Sequence, residues 1–140
     1  MLLQFIAEHH GTQRIGFFYD KALADLKDGE VPPDLSDFTY PGPRPASTET
    51  AILMMADSLE SATRALQDPT PERIRDLVVS IVESKIKDGQ LDNAPLTQRE
   101  IAILREEFIK MLAGMYHTRI DYPQTRHLTE APPAAIARTS

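Results

Sequence analysis

The sequence predicts an all-α fold of about five helices. Apolar residues recur at helical spacing along most of the chain, and capping residues precede four of the apolar stripes. No segment shows the apolar–polar alternation that is typical of a half-buried strand. With 140 residues, the chain has the size of one domain with one hydrophobic core. We therefore expect a single helical bundle.

The first two predicted helices flank Gly11. Apolar residues predict a helix over residues 1–9, and Gly11 suits the left-handed position that closes a helix. Thr12 is the predicted N-cap of the second helix, which we expect to run to about Lys27.

A long proline-rich segment, DGEVPPDLSDFTYPGPRPAS, follows at residues 28–47. Its five prolines exclude a helix, and a connection of this length is usually either functional or disordered. Because Phe38 and Tyr40 give the segment apolar surface to bury, we predict an ordered loop that packs over a site.

Capping signals place the last three helices. Ser47 or Thr48 precedes a helix that reaches about residue 66, and Thr70 precedes a helix that ends at Gly89. The segment LTQRE contains the capping box of a fifth helix, which runs toward residue 117. From residue 124 onward the composition turns to Pro, Ala, Thr and Arg, which predicts a flexible tail over 124–140.

Composition excludes several classes of function. The net charge is −6, which argues against a nucleic acid polymer as partner. The absence of cysteine excludes disulfides and thiolate metal sites. No apolar run reaches the ~20 residues of a membrane span, and the start has no basic segment of the kind that opens a signal peptide.

The stretch AEHHGT places His9 and His10 side by side at the end of the first predicted helix. An imidazolium at a helix C-terminus is favoured by the helix dipole, so a solvated pair is one interpretation. Adjacent helical residues point about 100° apart, so the rings can also face two metals, or one metal and a phosphate. Together with a carboxylate they suit Fe, Mn, Zn or Ni.

Asp57 follows six consecutive apolar residues in AILMMADSLE. A helix that is apolar on all sides is buried, so the sequence predicts a buried carboxylate. Such a group is costly unless it is hydrogen-bonded, paired or bound to metal. A hydrogen bond to the end of a neighbouring helix, or coordination to a metal, would satisfy the carboxylate of Asp57.

Four blocks, EHHGT, YPGPRPASTETAILMMADSLESATR, DGQLDNAPLT and YHTRIDYP, occur in this order within residues 1–123. They strongly resemble the cytoplasmic HD domain of the seven-transmembrane HD receptors, the PgpH-type cyclic di-AMP phosphodiesterases. The resemblance implies an HD-domain helical bundle over 1–123 and hydrolysis of cyclic di-AMP to pApA. It also places the parent protein on the cytoplasmic side of the cell membrane.

The resemblance implies a pair of divalent metals, iron or manganese, in the intact domain. Carried over residue by residue, the adjacent histidines of the family are His9 and His10, and its late aspartate is Asp57. In the proline-rich loop, we predict that Tyr40 and Arg44 contact the phosphate or base of the substrate. The alternative is a packing loop with a solvated arginine.

The sequence also departs from the family, because it contains no His-Asp dipeptide. His117 and His127 both follow Asp57, so neither can be the early ligand. Since three of the six expected ligands are absent, we expect a C-terminal piece that lacks the N-terminal half of the HD core and the upstream membrane helices. In this piece we expect partial or no metal occupancy and no hydrolysis.

Two alternatives remain open: a nucleotide-sensing module without catalysis, and a self-associating helical module. We expect the piece itself to be soluble and to form a symmetric homodimer. The apolar side chains that we expect to be exposed, and so to form its interface, are Leu2, Leu3, Phe5, Ile6, Leu53 and Met54.

Overall fold

The computed structural model describes residues 1–117 and confirms the all-α prediction for them. Its elements are α1 (Leu2–Glu8), α2 (Gly16–Ala24), a short 3₁₀ helix (Leu35–Phe38), α3 (Thr48–Ala65), α4 (Pro71–Lys87) and α5 (Gln98–His117). The predicted domain end at residue 123, the predicted tail over 124–140 and His127 lie outside the described residues.

The predicted caps of the last three helices are confirmed. Ser47 accepts a hydrogen bond from the backbone of Thr50 at 3.2 Å, and the Thr50 hydroxyl accepts one from the backbone of Ser47 at 3.3 Å. Thr70 caps α4, with a proline at its first position. In the capping box of α5, the backbone of Thr97 donates to the Glu100 carboxylate at 2.8 Å, and the backbone of Glu100 donates to the Thr97 hydroxyl at 3.2 Å.

The predicted start of the second helix at Thr12 is wrong. The backbone of Ile15 donates to Phe38 O at 2.6 Å, and the backbone of Tyr40 donates to Gln13 O at 2.9 Å. These bonds pair residues 13–15 with the proline-rich loop, so the helix begins only at Gly16. The amide and hydroxyl of Thr12 are instead bound to the side chain of Gln90.

The core lies between α3, α4 and α5. Among the helices of the described residues, α1 packs only on α3. The buried side chains of the core come from α3, α4 and α5 and from the segment between α4 and α5. They are Ala51, Met54, Met55, Leu59, Ile74, Val78, Val82, Leu91, Ala94, Ile101, Ile109 and Leu112. Within residues 1–117, no helix is both long enough and apolar enough to span a bilayer.

Most of the apolar side chains predicted to be exposed are exposed. Leu2, Leu3, Ile6 and Leu53 are open to solvent, while Phe5 is half-buried. The prediction for Met54 is wrong: it is fully buried as part of the core, and its methyl group lies against Gly11.

Candidate active site

The proline-rich loop packs over the histidine pair, as the sequence predicts. The ring of Tyr40 stacks on the ring of His10, with centroids 4.2 Å apart and an angle of 21° between the planes. The backbone bond from Tyr40 to Gln13 holds this part of the loop beside the end of α1. The loop therefore forms one wall of the candidate site.

Glu8 fixes the end of α1 against α3. Glu8 is 6% exposed, and its carboxylate accepts hydrogen bonds from the Ala46 backbone at 2.9 Å and the Thr50 hydroxyl at 2.7 Å. Burial by itself raises the pKa of Glu8, but the bonds from Ala46 and Thr50 hold that pKa below its usual value. Because His9 and His10 follow directly, these bonds set the position of both rings.

Replacing Glu8 with alanine should lower the free energy of unfolding by about 2–3 kcal/mol, because two donors lose their acceptor. Glu8→Gln should cost less, since the amide oxygen still accepts. Urea denaturation measures both, with Glu83→Ala on the exposed face of α4 as the control, expected within about 0.5 kcal/mol of the parent. Equal losses for Glu8→Ala and Glu83→Ala would show that the carboxylate is not an anchor.

The hydrogen bonds of His9 assign its tautomer. Nδ1 lies 3.0 Å from Phe5 O and 2.9 Å from Ile6 O, and because a carbonyl oxygen only accepts, Nδ1 carries the proton. The lone pair of the neutral ring is then on Nε2. Metal-binding histidines are commonly oriented in this way, with the second ring nitrogen bonded to a backbone carbonyl.

His10 and Asp57 lie together although 46 residues stand between them. His10 Nδ1 is 3.9 Å from Asp57 Oδ2, and the His9 and His10 ring centroids are 3.9 Å apart. The predicted burial of Asp57 is wrong, because 46% of its side chain is exposed. Leu53, one turn earlier on the same face of α3, is exposed too, so the apolar run is not covered on all sides.

The surroundings of His10 lower its pKa. Burial and the neighbouring charges of His9 and Lys85 lower its pKa below the usual value, and the attraction to Asp57 only partly opposes this. Neutral imidazole is the form that binds a transition metal.

The donor set fits part of a metal site. Ligand bonds from imidazole and carboxylate are about 2.0–2.2 Å long, so two donor atoms 3.9 Å apart can reach the same ion. Among residues 1–117, however, no group of three or more His, Asp or Glu side chains could hold a metal. The described part of the chain therefore supplies only some of the ligands that a closed site needs.

Arg44, the other predicted substrate contact, is engaged elsewhere. Its Nε donates to Thr12 Oγ1 at 3.1 Å, and its Nη1 lies 3.9 Å from Asp92 Oδ2. The structure thus groups His9, His10, Tyr40 and Asp57, whereas Arg44 braces the loop against Thr12 and the segment after α4.

Sequence reasoning missed Lys85. Its side chain is only 7% exposed, and its ammonium donates to Gln13 Oε1. Burial lowers the pKa of Lys85 to about 8, while the charges of Asp57 and Asp88 oppose that fall. A signal was present: Lys85 continues the buried stripe of Val78 and Val82 on α4, where an apolar residue is expected.

Comparison with known proteins identifies relatives of this chain. No family model matches the chain. The cyclic-di-AMP phosphodiesterase PgpH of Bacillus subtilis is 40% identical over 123 residues, and that of Listeria monocytogenes is 35% identical over 127. These alignments cover 88% and 89% of this chain. The crystal structure of the L. monocytogenes PgpH HD domain in complex with cyclic di-AMP matches with a TM-score of 0.75 and 35% identity.

The chain is homologous to the PgpH HD domain. The resemblance of the four sequence blocks is thereby confirmed, as is the HD-like all-α fold. The matched region is 17% of each PgpH relative and 54% of the HD-domain chain, so this chain spans about half of the solved domain.

Proposed function

We propose that this chain forms part of a metal-dependent phosphodiesterase site that hydrolyses cyclic di-AMP to pApA. The observation that carries the proposal is the His10–Asp57 pair beneath Tyr40. All three residues lie in the sequence blocks that resemble the family, and relatives at 35–40% identity are cyclic-di-AMP phosphodiesterases.

In the working site, His9, His10 and Asp57 would hold two divalent metals, iron or manganese, together with ligands from outside the described residues. When bound, such metals polarise the phosphate and supply a hydroxide at neutral pH. Tyr40 keeps the ring of His10 in place by stacking and borders the space for the substrate. Arg44 fixes the loop through Thr12, and its partly exposed side chain would make any contact to phosphate.

The family resemblance also supports a parent protein with seven transmembrane helices, whose HD domain lies on the cytoplasmic side.

A hybrid domain tests the proposed function. In it, this chain replaces the matched half of the L. monocytogenes PgpH HD domain, and pApA is quantified by chromatography. We expect turnover that requires Mn²⁺ or Fe²⁺ and stops on chelation, while this chain alone with the same metals should show none. A folded hybrid that binds cyclic di-AMP without cleaving it would favour the sensing alternative, and one that does not bind it would contradict both.

The exposed apolar side chains favour self-association as a second property. Leu2, Leu3 and Ile6 on α1 are exposed, as are Phe17 and Phe18 on α2. Fully burying one such side chain contributes about 1.5–3 kcal/mol, so a symmetric contact between two copies is favourable.

Light scattering after size exclusion should therefore show a dimer of the 15.7 kDa chain at micromolar concentration. Leu3→Glu should return it to monomer, whereas Ile103→Glu on the exposed face of α5 should not. A monomeric parent chain would contradict the proposed dimer.

A further inference from the structure

Lys85 carries a buried charge without a counter-ion. Among residues 1–117, no carboxylate oxygen lies within ion-pair distance of its ammonium, and the hydrogen bond that it makes is to the neutral amide of Gln13. An ammonium has three donors, so two are left for another partner. A buried cation is costly unless it is paired, and nothing in the packing of α4 requires a charge at this position.

The ammonium is also joined to the candidate site through two residues. Lys85 donates to the side chain of Gln13, and the backbone carbonyl of Gln13 accepts a hydrogen bond from the backbone of Tyr40 at 2.9 Å. The ring of Tyr40 in turn stacks on His10. Gln13, the hydrogen-bond partner of Lys85, stands only three residues after His10.

Lys85 also lines a surface pocket of about 500 Å³. The other lining residues are Gln13, Arg14, Ser84, Lys87 and Asp88, so three cations face one carboxylate. The pocket is thus locally positive in a chain whose net charge is −6. Positive charge that is concentrated in a cleft attracts anionic ligands.

We propose that this pocket, the basic pocket, binds a phosphate group of the dinucleotide substrate, with Lys85 as the buried residue that contacts a phosphate oxygen. The inference rests on the proposed function. A cyclic dinucleotide carries two phosphodiesters, so when one is at the His10–Asp57 pair, the other needs a cationic neighbour. Lys85, which is joined to that pair through Gln13 and Tyr40 and also lines the pocket, meets this need.

Binding of cyclic di-AMP to the full chain in the presence of Mn²⁺, measured by calorimetry, tests the proposal. Lys85→Met keeps the length of the side chain and removes the charge, so it should weaken binding about 10- to 100-fold. Lys85→Arg should retain most of the affinity, because it keeps a cation. Lys110→Met, which removes an exposed lysine paired with Glu107 on α5, should leave binding unchanged. Because Met suits a buried position, thermal unfolding should show Lys85→Met to be at least as stable as the parent.

Equal affinity of the parent and Lys85→Met would overturn the inference and leave the proposed function standing. If the parent chain alone does not bind cyclic di-AMP, the hybrid domain decides the proposed function, and a titration of the chain with inorganic pyrophosphate decides the pocket separately. Amide NMR shifts at residues 84–88 that disappear in Lys85→Met would then support an anion site at Lys85. The absence of such shifts would overturn it.

Discussion

Asp57→Asn should lower turnover of cyclic di-AMP by the hybrid domain at least about 100-fold. The loss of residues that merely orient metal ligands already costs 10- to 100-fold in activity, and Asp57 is proposed as a ligand itself. Asparagine keeps the shape of the side chain and removes the anionic oxygen that lies 3.9 Å from His10 Nδ1. The loss should therefore appear in kcat and in metal content together.

The same substitution should hardly change stability, because the Asp57 side chain is nearly half exposed and an exposed ion pair contributes at most about 1 kcal/mol. Glu60→Gln, one turn further along α3, is the matched control: Glu60 is exposed and pairs with Arg64, away from His10. Turnover that survives in Asp57→Asn, or that falls equally in Glu60→Gln, would rule out Asp57 as a ligand.

Gly11→Ala should lower the free energy of unfolding by about 3 kcal/mol, combining left-handed backbone strain with the loss of a buried hydrogen-bond network. Gly11 has a φ of +55°, and an added Cβ would collide with Gln90 Oε1 and lie 2.5 Å from Met54 Cε. The ends of the Gln90 and Met54 side chains are flexible in principle, but both side chains are fully buried. The amide of Gln90 is also bound to Thr12 and to Asp88.

Gly29→Ala separates the two contributions, because Gly29 has a φ of +91° and nothing within 4 Å of an added Cβ. It should show the backbone strain alone, about 1 kcal/mol. Urea denaturation of both variants gives the difference, and equal losses would mean that Gln90 and Met54 move aside at little cost.

The helices that could be predicted are those whose ends depend on near neighbours. Thr70 and Thr97 cap α4 and α5 through partners three residues away, so the sequence displays the whole interaction. Thr12 carries the same local signal, but a side chain 78 residues later, Gln90, binds it and the helix starts elsewhere. Local chemistry therefore predicts a cap only where no distant partner competes for it.

The same distinction holds for the candidate site. The His10–Asp57 proximity could be predicted only through the family resemblance, and the apolar run before Asp57 gave the wrong burial. The contact between Lys85 and Gln13 joins residues 72 apart, and no spacing rule connects them. The sequence marked Lys85 as unusual only because it places a charged residue on the buried apolar face of α4.

The attachment of α1 to α3 has a thermodynamic consequence. Glu8 accepts hydrogen bonds from Ala46 and Thr50, and with the contacts to α3 these bonds hold the end of α1 in place. Any ligand that His9 and His10 bind only when α1 is formed will stabilise that helix by mass action, by about 2.7 kcal/mol at a concentration 100 times its Kd. Occupancy of the site and order in the segment that carries the two histidines are therefore linked, and each increases with the other.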